Sequence, residues 1–427
     1  MKRNTFGLLS AALLLLSSAT FAVADEAADL GTAIVSGKAG VNVRARYENV
    51  DQDGFSNNAD ALTARVRLNY KTGSWKSLSA FAEFDHVFHL IDDFNSGGGT
   101  SPNRASYPVV ADPEGSDLNQ LYIDYAASDA WKLRAGRQKI LLDNQRYVGH
   151  VGWRQNEQTY DALKVTTGVI ASTTLQYSYI ADVRRIFGQD SAAGKDKSNH
   201  HLLNAKIKLN DSWSVVPYYY LLDYDFTAPV PPTPLSAPPW DGNDLRRARN
   251  STGTFGIRAA GGLDVGDGKI ALVGEFATQS DAGDSPYSYD ADYLHASAMW
   301  SMDNGLSLGL AYESLGSDDG LLSFQTPLAT LHAFQGWADK FLATPAAGIE
   351  DVYATVKFKA GKWNLTGVYH DFQAETGGVD YGTEFDVAAA TKIGKNYGLL
   401  FKGAFFSGDS PPYSDTNKFW IMFTANY

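Results

Sequence analysis

Residues 38–50, KAGVNVRARYENV, and residues 61–71, ALTARVRLNYK, carry the pattern that decides the fold. Apolar and polar side chains alternate along both segments, with Val43 on one side of the first segment and Arg44 on the other. Because successive side chains of a β-strand point to opposite faces, each segment has one apolar and one charged face. Both segments also reach about ten residues, which is the length that a tilted strand needs to cross a bilayer.

The same alternation recurs along the rest of the chain. It predicts about eighteen strands, an even number that is typical of single-chain bacterial barrels. The predicted strand centres are Val43, Val66, Ala82, Ile123, Leu133, Val165, Tyr177, Ala205, Pro217, Ile257, Val273, Ser297, Leu308, Val356, Leu365, Phe385, Phe401 and Phe423.

The connections between these strands fall into two classes. Every second connection is short and consists of turn-forming residues, as in Asp303-Asn304-Gly305. The others are long and cover residues 89–117, 143–160, 183–199, 223–251 and 316–350. Short periplasmic turns and long extracellular loops are the asymmetry of outer-membrane barrels. The sequence therefore predicts an all-β fold, a transmembrane antiparallel β-barrel in the outer membrane of a Gram-negative bacterium.

The two ends of the chain fit an exported barrel. Residues 1–24 begin with basic residues, continue with an apolar run and end on an A-x-A cleavage pattern, which predicts a signal peptide. We expect residues 25–427 to form a single barrel domain. The last strand is apolar at alternate positions and ends on Tyr427, which resembles the C-terminal signature that the barrel-insertion machinery recognises.

Composition excludes several classes of function. The formal net charge of −12 argues against nucleic-acid binding by an exported chain, and the absence of cysteine excludes disulfides and thiolate metal sites. No cofactor or metal is predicted. The partners expected for such a barrel are outer-membrane lipid and lipopolysaccharide.

Two stretches resemble a known family. Residues 136–163, GRQKILLDNQRYVGHVGWRQNEQTYDAL, look like the diagnostic stretch of the alginate export family of outer-membrane porins. Residues 326–353, TPLATLHAFQGWADKFLATPAAGIEDVY, are similar to a long-loop segment of many members. The resemblance implies an eighteen-stranded barrel with an electropositive lumen and passage of a polyanionic polysaccharide.

The polar strand faces are rich in basic residues, which we predict to line the pore. These residues are Arg44, Arg46, Arg65, Arg67, Arg134, Lys206, Lys208, Arg258 and Lys357. The four arginines of the first two strands have only Glu48 as a nearby acid on those strands, so we expect unpaired guanidinium groups that favour anions. The alternative is that basic and acidic residues pair across strands and stabilise the barrel.

The loop after the fifth strand is dense in charge and contains Gly149 and Gly152. We predict that it folds into the lumen as a constriction, with basic pore-lining residues and an acidic network. The basic residues are Arg137, Arg146 and Arg154, and the acids are Asp143, Glu157 and Asp161. Alternatively, these charges form ion pairs that fix the loop to the wall. Residues 328–342 are predicted as a short amphipathic helix, either a lid over the pore or a helix packed on the rim.

An enzymatic function is not expected. The adjacent pairs Asp85-His86 and His370-Asp371 lie within strands, where neighbours point to opposite faces and cannot form a catalytic dyad. The H-E-x-x-H motif is absent from the sequence. The leading hypothesis is a passive porin that prefers anions, either an acidic oligo- or polysaccharide such as alginate or organic acids. The alternative is a structural or adhesive barrel with a closed lumen.

Overall fold

The computed structural model describes residues 26–226 and 242–427, and within them eighteen antiparallel strands form one sheet. The strands are β1 (Lys38–Gln52), β2 (Ala59–Lys71), β3 (Leu78–Asp93), β4 (Gly115–Ser128), β5 (Trp131–Gln138), β6 (Thr159–Thr167), β7 (Thr173–Arg184), β8 (Lys195–Lys208), β9 (Trp213–Leu222), β10 (Thr252–Asp264), β11 (Gly268–Asp281), β12 (Asp290–Met302), β13 (Leu306–Leu315), β14 (Ile349–Ala360), β15 (Trp363–Gln373), β16 (Asp380–Ile393), β17 (Tyr397–Gly408) and β18 (Thr416–Asn426). Each predicted strand centre lies inside its strand, so the predicted barrel is confirmed. The predicted signal peptide lies outside the described residues.

The sheet closes on itself. Each strand pairs with its sequence neighbours, and β18 pairs with β1 in a register that sets Tyr47 opposite Ile421. Closure leaves no strand edge unpaired, which a sheet in lipid requires because no water can satisfy its backbone groups.

The two faces of the wall follow the alternation in the sequence. Arg44 and Arg65 lie opposite each other on β1 and β2 and are buried on the inner side, whereas Leu68 on the outer side is exposed. Large apolar side chains form an exposed outer band around the barrel, including Ile123, Leu163, Leu203, Phe255, Ile257, Phe276, Leu294, Leu310, Val356, Phe385 and Phe405. Along the apolar band the charged face of the wall therefore points inward and the apolar face points outward, as expected for a membrane barrel.

Short turns close one end of the barrel. Gly305 and Gly361 have φ values of +87° and +60° in two of these turns, a left-handed conformation that glycine adopts without steric cost. The long connections lie at the other end, and those after β3, β5 and β13 enter the barrel. We call residues 139–158 the first inner loop and residues 316–348 the second inner loop.

The two inner loops pack against each other inside the barrel. Gly149 N donates to Leu328 O at 2.8 Å and Thr330 N donates to Gln145 O at 3.0 Å. Buried apolar residues of both loops form one cluster with inward tyrosines of the wall. The cluster includes Tyr147, Val148, Phe324, Leu328, Phe341, Tyr218, Tyr220 and Tyr293. The interior is therefore filled by loops, which are held by both apolar packing and hydrogen bonds.

Helix is scarce. Among the described residues it comprises α1 (Leu30–Val35), α2 (Gly242–Asn250) and one 3₁₀ turn at Leu331–Ala333. Across residues 26–226 and 242–427, no helix has the length and apolar character needed to span a membrane.

The prediction of an amphipathic helix over residues 328–342 was wrong. Only the turn Leu331–Ala333 is helical, and Gln335, Gly336 and Asp339 have φ values of +48°, +77° and +61°. Such left-handed residues cannot belong to a right-handed helix.

Candidate permeation site

Four arginines on β1 and β2 lie side by side on the inner wall. They are Arg44, Arg46, Arg65 and Arg67, and none is more than 7% exposed. A guanidinium group loses its hydration when it is buried, which costs free energy. Burial is therefore tolerated only where hydrogen bonds and ion pairs compensate for that loss.

The first inner loop supplies partners to these arginines. Arg44 Nε donates to Gln155 Oε1 at 2.9 Å, and Arg65 Nη1 donates to Gln155 O at 3.0 Å. Arg67 Nη1 lies 2.9 Å from Glu157 Oε1. The loop therefore fits against the arginines through both backbone carbonyls and side chains.

Carboxylates from elsewhere complete the pairing. Arg67 Nε lies 2.6 Å from Asp85 Oδ1 on β3, and Arg46 pairs with Asp112, which lies between β3 and β4. The expectation of four unpaired arginines with only Glu48 nearby was therefore wrong. Asp112 and Glu157 are distant in sequence and reach the arginines only because their loops turn into the barrel.

Arg154 joins the two inner loops to the wall. Its guanidinium group lies 3.0 Å from Glu48 Oε2 on β1 and 3.2 Å from Asp339 Oδ2 in the second inner loop. Asp339 also pairs with Lys418 Nζ of β18 at 2.9 Å. This carboxylate therefore ties the second inner loop to both the first loop and the barrel.

Arg146 makes a second connection between the loops. Its Nε lies 2.6 Å from Glu313 Oε1 on β13, and its Nη2 donates to Gln335 Oε1 at 3.0 Å. Arg146 and Arg154 thus lie inside the barrel, which fits the hypothesis of a loop that folds into the lumen. Both also form ion pairs with the wall, which fits the alternative that these charges fix the loop to the wall.

A pair of carboxylates on β16 clamps the second inner loop. The Glu384 carboxylate accepts hydrogen bonds from Trp337 N and Ala338 N, the latter at 2.7 Å. The preceding residue, Gly336, has φ +77°, and a Cβ there would clash with the Glu384 carboxylate. Sequence reasoning missed this clamp, although Glu384 and Asp386 were visible as alternate polar residues of one strand.

A lysine lies in an aromatic site beside the clamp. Lys402 Nζ lies 3.7 Å from the ring centre of Trp337 and 4.4 Å from that of Trp153, and 2.7 Å from His332 Nε2. An ammonium group has no acceptor, so His332 Nε2 accepts and Nδ1 carries the proton that is donated to Asp339 Oδ1 at 2.7 Å. Burial lowers the pKa of His332 to about 3, which keeps this ring neutral at physiological pH.

Two predicted site residues lie on the opposite side of the wall. Arg137 of β5 and Asp161 of β6 are opposite each other on neighbouring strands, with 2.8 Å between Arg137 Nε and Asp161 Oδ1. On its other side Arg137 is opposite Leu121, an exposed residue of the outer face. Their side chains therefore point outward near the loop end, where Arg184 joins them at 2.9 Å from Asp161. The sequence predicts both residues in a lumenal loop, but β5 extends to Gln138 and β6 begins at Thr159, so both belong to the wall.

The remaining predicted residues are spread over the wall. Arg134 and Arg258 pair with inward acids, at 2.6 Å from Asp124 and 2.8 Å from Glu275 respectively. Asp143 is exposed and accepts from Asn204 Nδ2 at 2.9 Å. Three exposed lysines share the inner side near the short turns and have no ion pair among the described residues. They are Lys206, Lys208 and Lys357.

A cavity of about 800 Å³ lies over the inner loops on the side of the long connections. Of the described residues that line it, seven are basic and one, Asp339, is acidic. The basic residues are Arg146, Arg154, Arg185, Arg246, Arg249, Lys340 and Lys418.

Three arginines near this cavity share one carboxylate. Asp196 lies 2.6 Å from Arg246, 2.9 Å from Arg247 and 3.8 Å from Arg185, and Arg247 also contacts Asp244 at 2.8 Å. Burial, with Arg246 close by, lowers the pKa of Arg185 to about 10, so it remains charged at neutral pH. The cluster leaves positive charge at the cavity that the nearby acids only partly balance.

Comparison with solved structures shows the same fold. OccK3 (OpdO) of Pseudomonas aeruginosa is 12% identical, with a TM-score of 0.66 over 93% of this chain and 97% of that one. OccK8 (OprE) of the same organism is 16% identical, with a TM-score of 0.66 over 92% and 98%. OpdK of the same organism, solved with vanillate, is 12% identical, with a TM-score of 0.67 over 92% and 99%.

Sequence comparison identifies the family. No curated protein sequence matches the chain. The model of the alginate export family matches residues 37–312, which is more than half of the chain and includes the first inner loop and all strands from β1 to β12. The protein therefore belongs to the alginate export family and is a β-barrel channel of the bacterial outer membrane.

Proposed function

We propose that this channel passes anions in preference to cations. The observation that carries the proposal is the external cavity, where seven basic residues and one acid line the described wall and two of the basic residues, Arg249 and Lys340, have no ion pair among the described residues. In a confined space of low dielectric constant such an excess produces a potential that raises the local concentration of anions. Family and fold are those of outer-membrane channels rather than of enzymes.

The inner side near the short turns supports the same preference. Lys206, Lys208 and Lys357 are exposed there without an ion pair in the part of the chain that the structure describes. Cations that are not paired contribute their full charge to the pore, unlike the buried arginines of β1 and β2. The candidate solutes are carboxylates, either organic acids or acidic oligo- or polysaccharides.

The test is a reversal potential across a planar bilayer under a potassium chloride gradient. We expect anion preference in the wild type and a smaller preference in a double variant, Arg249→Gln with Lys340→Gln, because neither residue has an ion pair among the described residues. Arg104→Gln is the control, since Arg104 is basic and partly exposed but does not line the cavity and is paired with Asp92 and Asp93. Cation preference in the wild type would contradict the proposal.

One observation favours the alternative of a barrel with a closed lumen. The inner loops bury the arginine wall, so in this conformation solutes do not reach it. Single-channel recording separates the two functions. Absence of current from both the wild type and a variant without residues 328–342 would support the closed barrel.

We also propose outer-membrane lipid and lipopolysaccharide as partners. The outward cluster of Arg137, Arg184 and Lys195 lies near the loop end of the wall, above the apolar band, where anionic headgroups of the outer leaflet lie. Tyr427 is the residue that we propose for recognition by the insertion machinery.

A further inference from the structure

We propose that the external cavity is a binding site for a small amphipathic carboxylate, namely an apolar or aromatic ring that carries one acid group. The inference rests on the proposed anion preference and narrows it to one class of solute. It follows from the combination of apolar and basic side chains in the cavity wall.

Much of the cavity wall is apolar. Most of the accessible lining is contributed by carbon atoms, from Phe55, Val109, Ile186, Phe187, Leu245 and Leu342 among others. Leu342 is 47% exposed and Val109 46% exposed, although both face the cavity. Apolar surface of this kind favours a ligand that removes it from water.

The basic part of the wall suits a single carboxylate. The Arg185 guanidinium group lies 5.3 Å from the ring centre of Phe187, which holds a planar donor next to an apolar surface. A guanidinium group can bind a carboxylate through two parallel hydrogen bonds. Lys340 adds a positive charge. Its Nζ donates a hydrogen bond to Thr416 Oγ1 at 2.9 Å and has no ion pair within residues 26–226 and 242–427.

The size and surroundings of the cavity disfavour a polyuronate. Its volume of about 800 Å³ suits one small molecule, and the second inner loop, through Leu331 and Ala338, forms part of its wall. A sugar acid carries several hydroxyl groups around its ring, and those that face Phe55, Leu342 and the other apolar side chains would lose water without gaining hydrogen bonds. A ring with one acid group has no such cost.

The experiment compares three probes on the wild-type barrel: benzoate, cyclohexanecarboxylate and glucuronate. Each is added to the side of the long loops while the chloride current is recorded in a planar bilayer. We expect benzoate and cyclohexanecarboxylate to reduce the current at concentrations at least about tenfold below that of glucuronate, because the ring is removed from water. Calorimetric titration of the folded protein in detergent gives the same comparison without a current.

Two variants locate the site. Leu342→Asn should raise the half-blocking concentration of benzoate at least about threefold and leave that of glucuronate unchanged, because it replaces exposed apolar lining with a polar group. Leu321→Asn is the matched control, since Leu321 is 52% exposed but does not line the cavity. Lys340→Gln should weaken binding of all three acids.

The outcomes distinguish this site from the proposed function. Equal potency of benzoate and glucuronate in an anion-preferring channel would overturn the amphipathic site and leave the anion preference intact. The same holds if Leu342→Asn and Leu321→Asn have equal effects on benzoate. Cation preference of the wild type would overturn both proposals.

Discussion

At the scale of single residues, Lys340 is a cavity charge that is sensitive to pH. Burial, together with Lys418, lowers the pKa of Lys340 to about 8, although Glu384 and Asp415 act in the opposite direction. A lysine is charged below its pKa, so raising the pH from about 7 to about 9 removes positive charge from the cavity. We expect the anion preference to decrease over this interval.

Reversal potentials at the two pH values test this expectation, and Lys340→Gln provides the control. The variant should show a lower anion preference at pH 7 and little further change at pH 9. An equal pH dependence in the wild type and the variant would assign the titration to another group.

At the scale of elements, the outer face of each strand should tolerate charge according to its depth in the membrane. Val66 is in the middle of β2 on the outer face, so Val66→Arg is expected to lower the free energy of unfolding by about 2–4 kcal/mol. Leu78 begins β3 beside a short turn, and Leu78→Arg should cost about 0–1 kcal/mol. Denaturant titration of the refolded barrel measures both values, and equal costs would contradict the assigned depth.

The clamp between β16 and the second inner loop should control how far the loop fills the barrel. Gly336→Ala introduces a Cβ against the Glu384 carboxylate and strains a backbone with φ +77°. We expect the loop to separate from the wall, with a larger single-channel conductance. Gly377→Ala controls for backbone strain alone, because Gly377 has φ +86° and an added Cβ there meets no atom within 4 Å. Equal conductance in the two variants would show that the clamp does not limit the pore.

At the scale of the whole molecule, closure between β1 and β18 should make the barrel resistant to detergent. We expect the protein to fractionate with the outer membrane and to migrate faster on a detergent gel before heating than after it, since a closed barrel has no edge at which unfolding can begin. Removal of residues 416–427 deletes β18 and should abolish the fast-migrating form. A truncated chain that kept this form would show that closure is not the source of the resistance.

The barrel itself was predictable from the sequence because its determinants are local. Alternation of side chains such as Val43 and Arg44 fixes a strand and its two faces within a few residues. Turn residues such as Gly305 mark the short connections by their backbone preferences. The sequence therefore determined the strands, their number, and which side of the wall carries the charge.

Only the tertiary structure decided where the long loops lie and which charges they meet. Arg46 and Asp112 are far apart in the chain, and their pairing depends on a loop that folds into the barrel. The alternating pattern does not show where a strand ends either. Arg137 and Asp161 were therefore expected inside the barrel, whereas their side chains lie on its outer face. An alternating pattern depends on residues that are two positions apart in the chain. The packing of a loop depends instead on the free energy of burying its charged and apolar groups against partners that are distant in sequence. Those partners come together only once the barrel has closed.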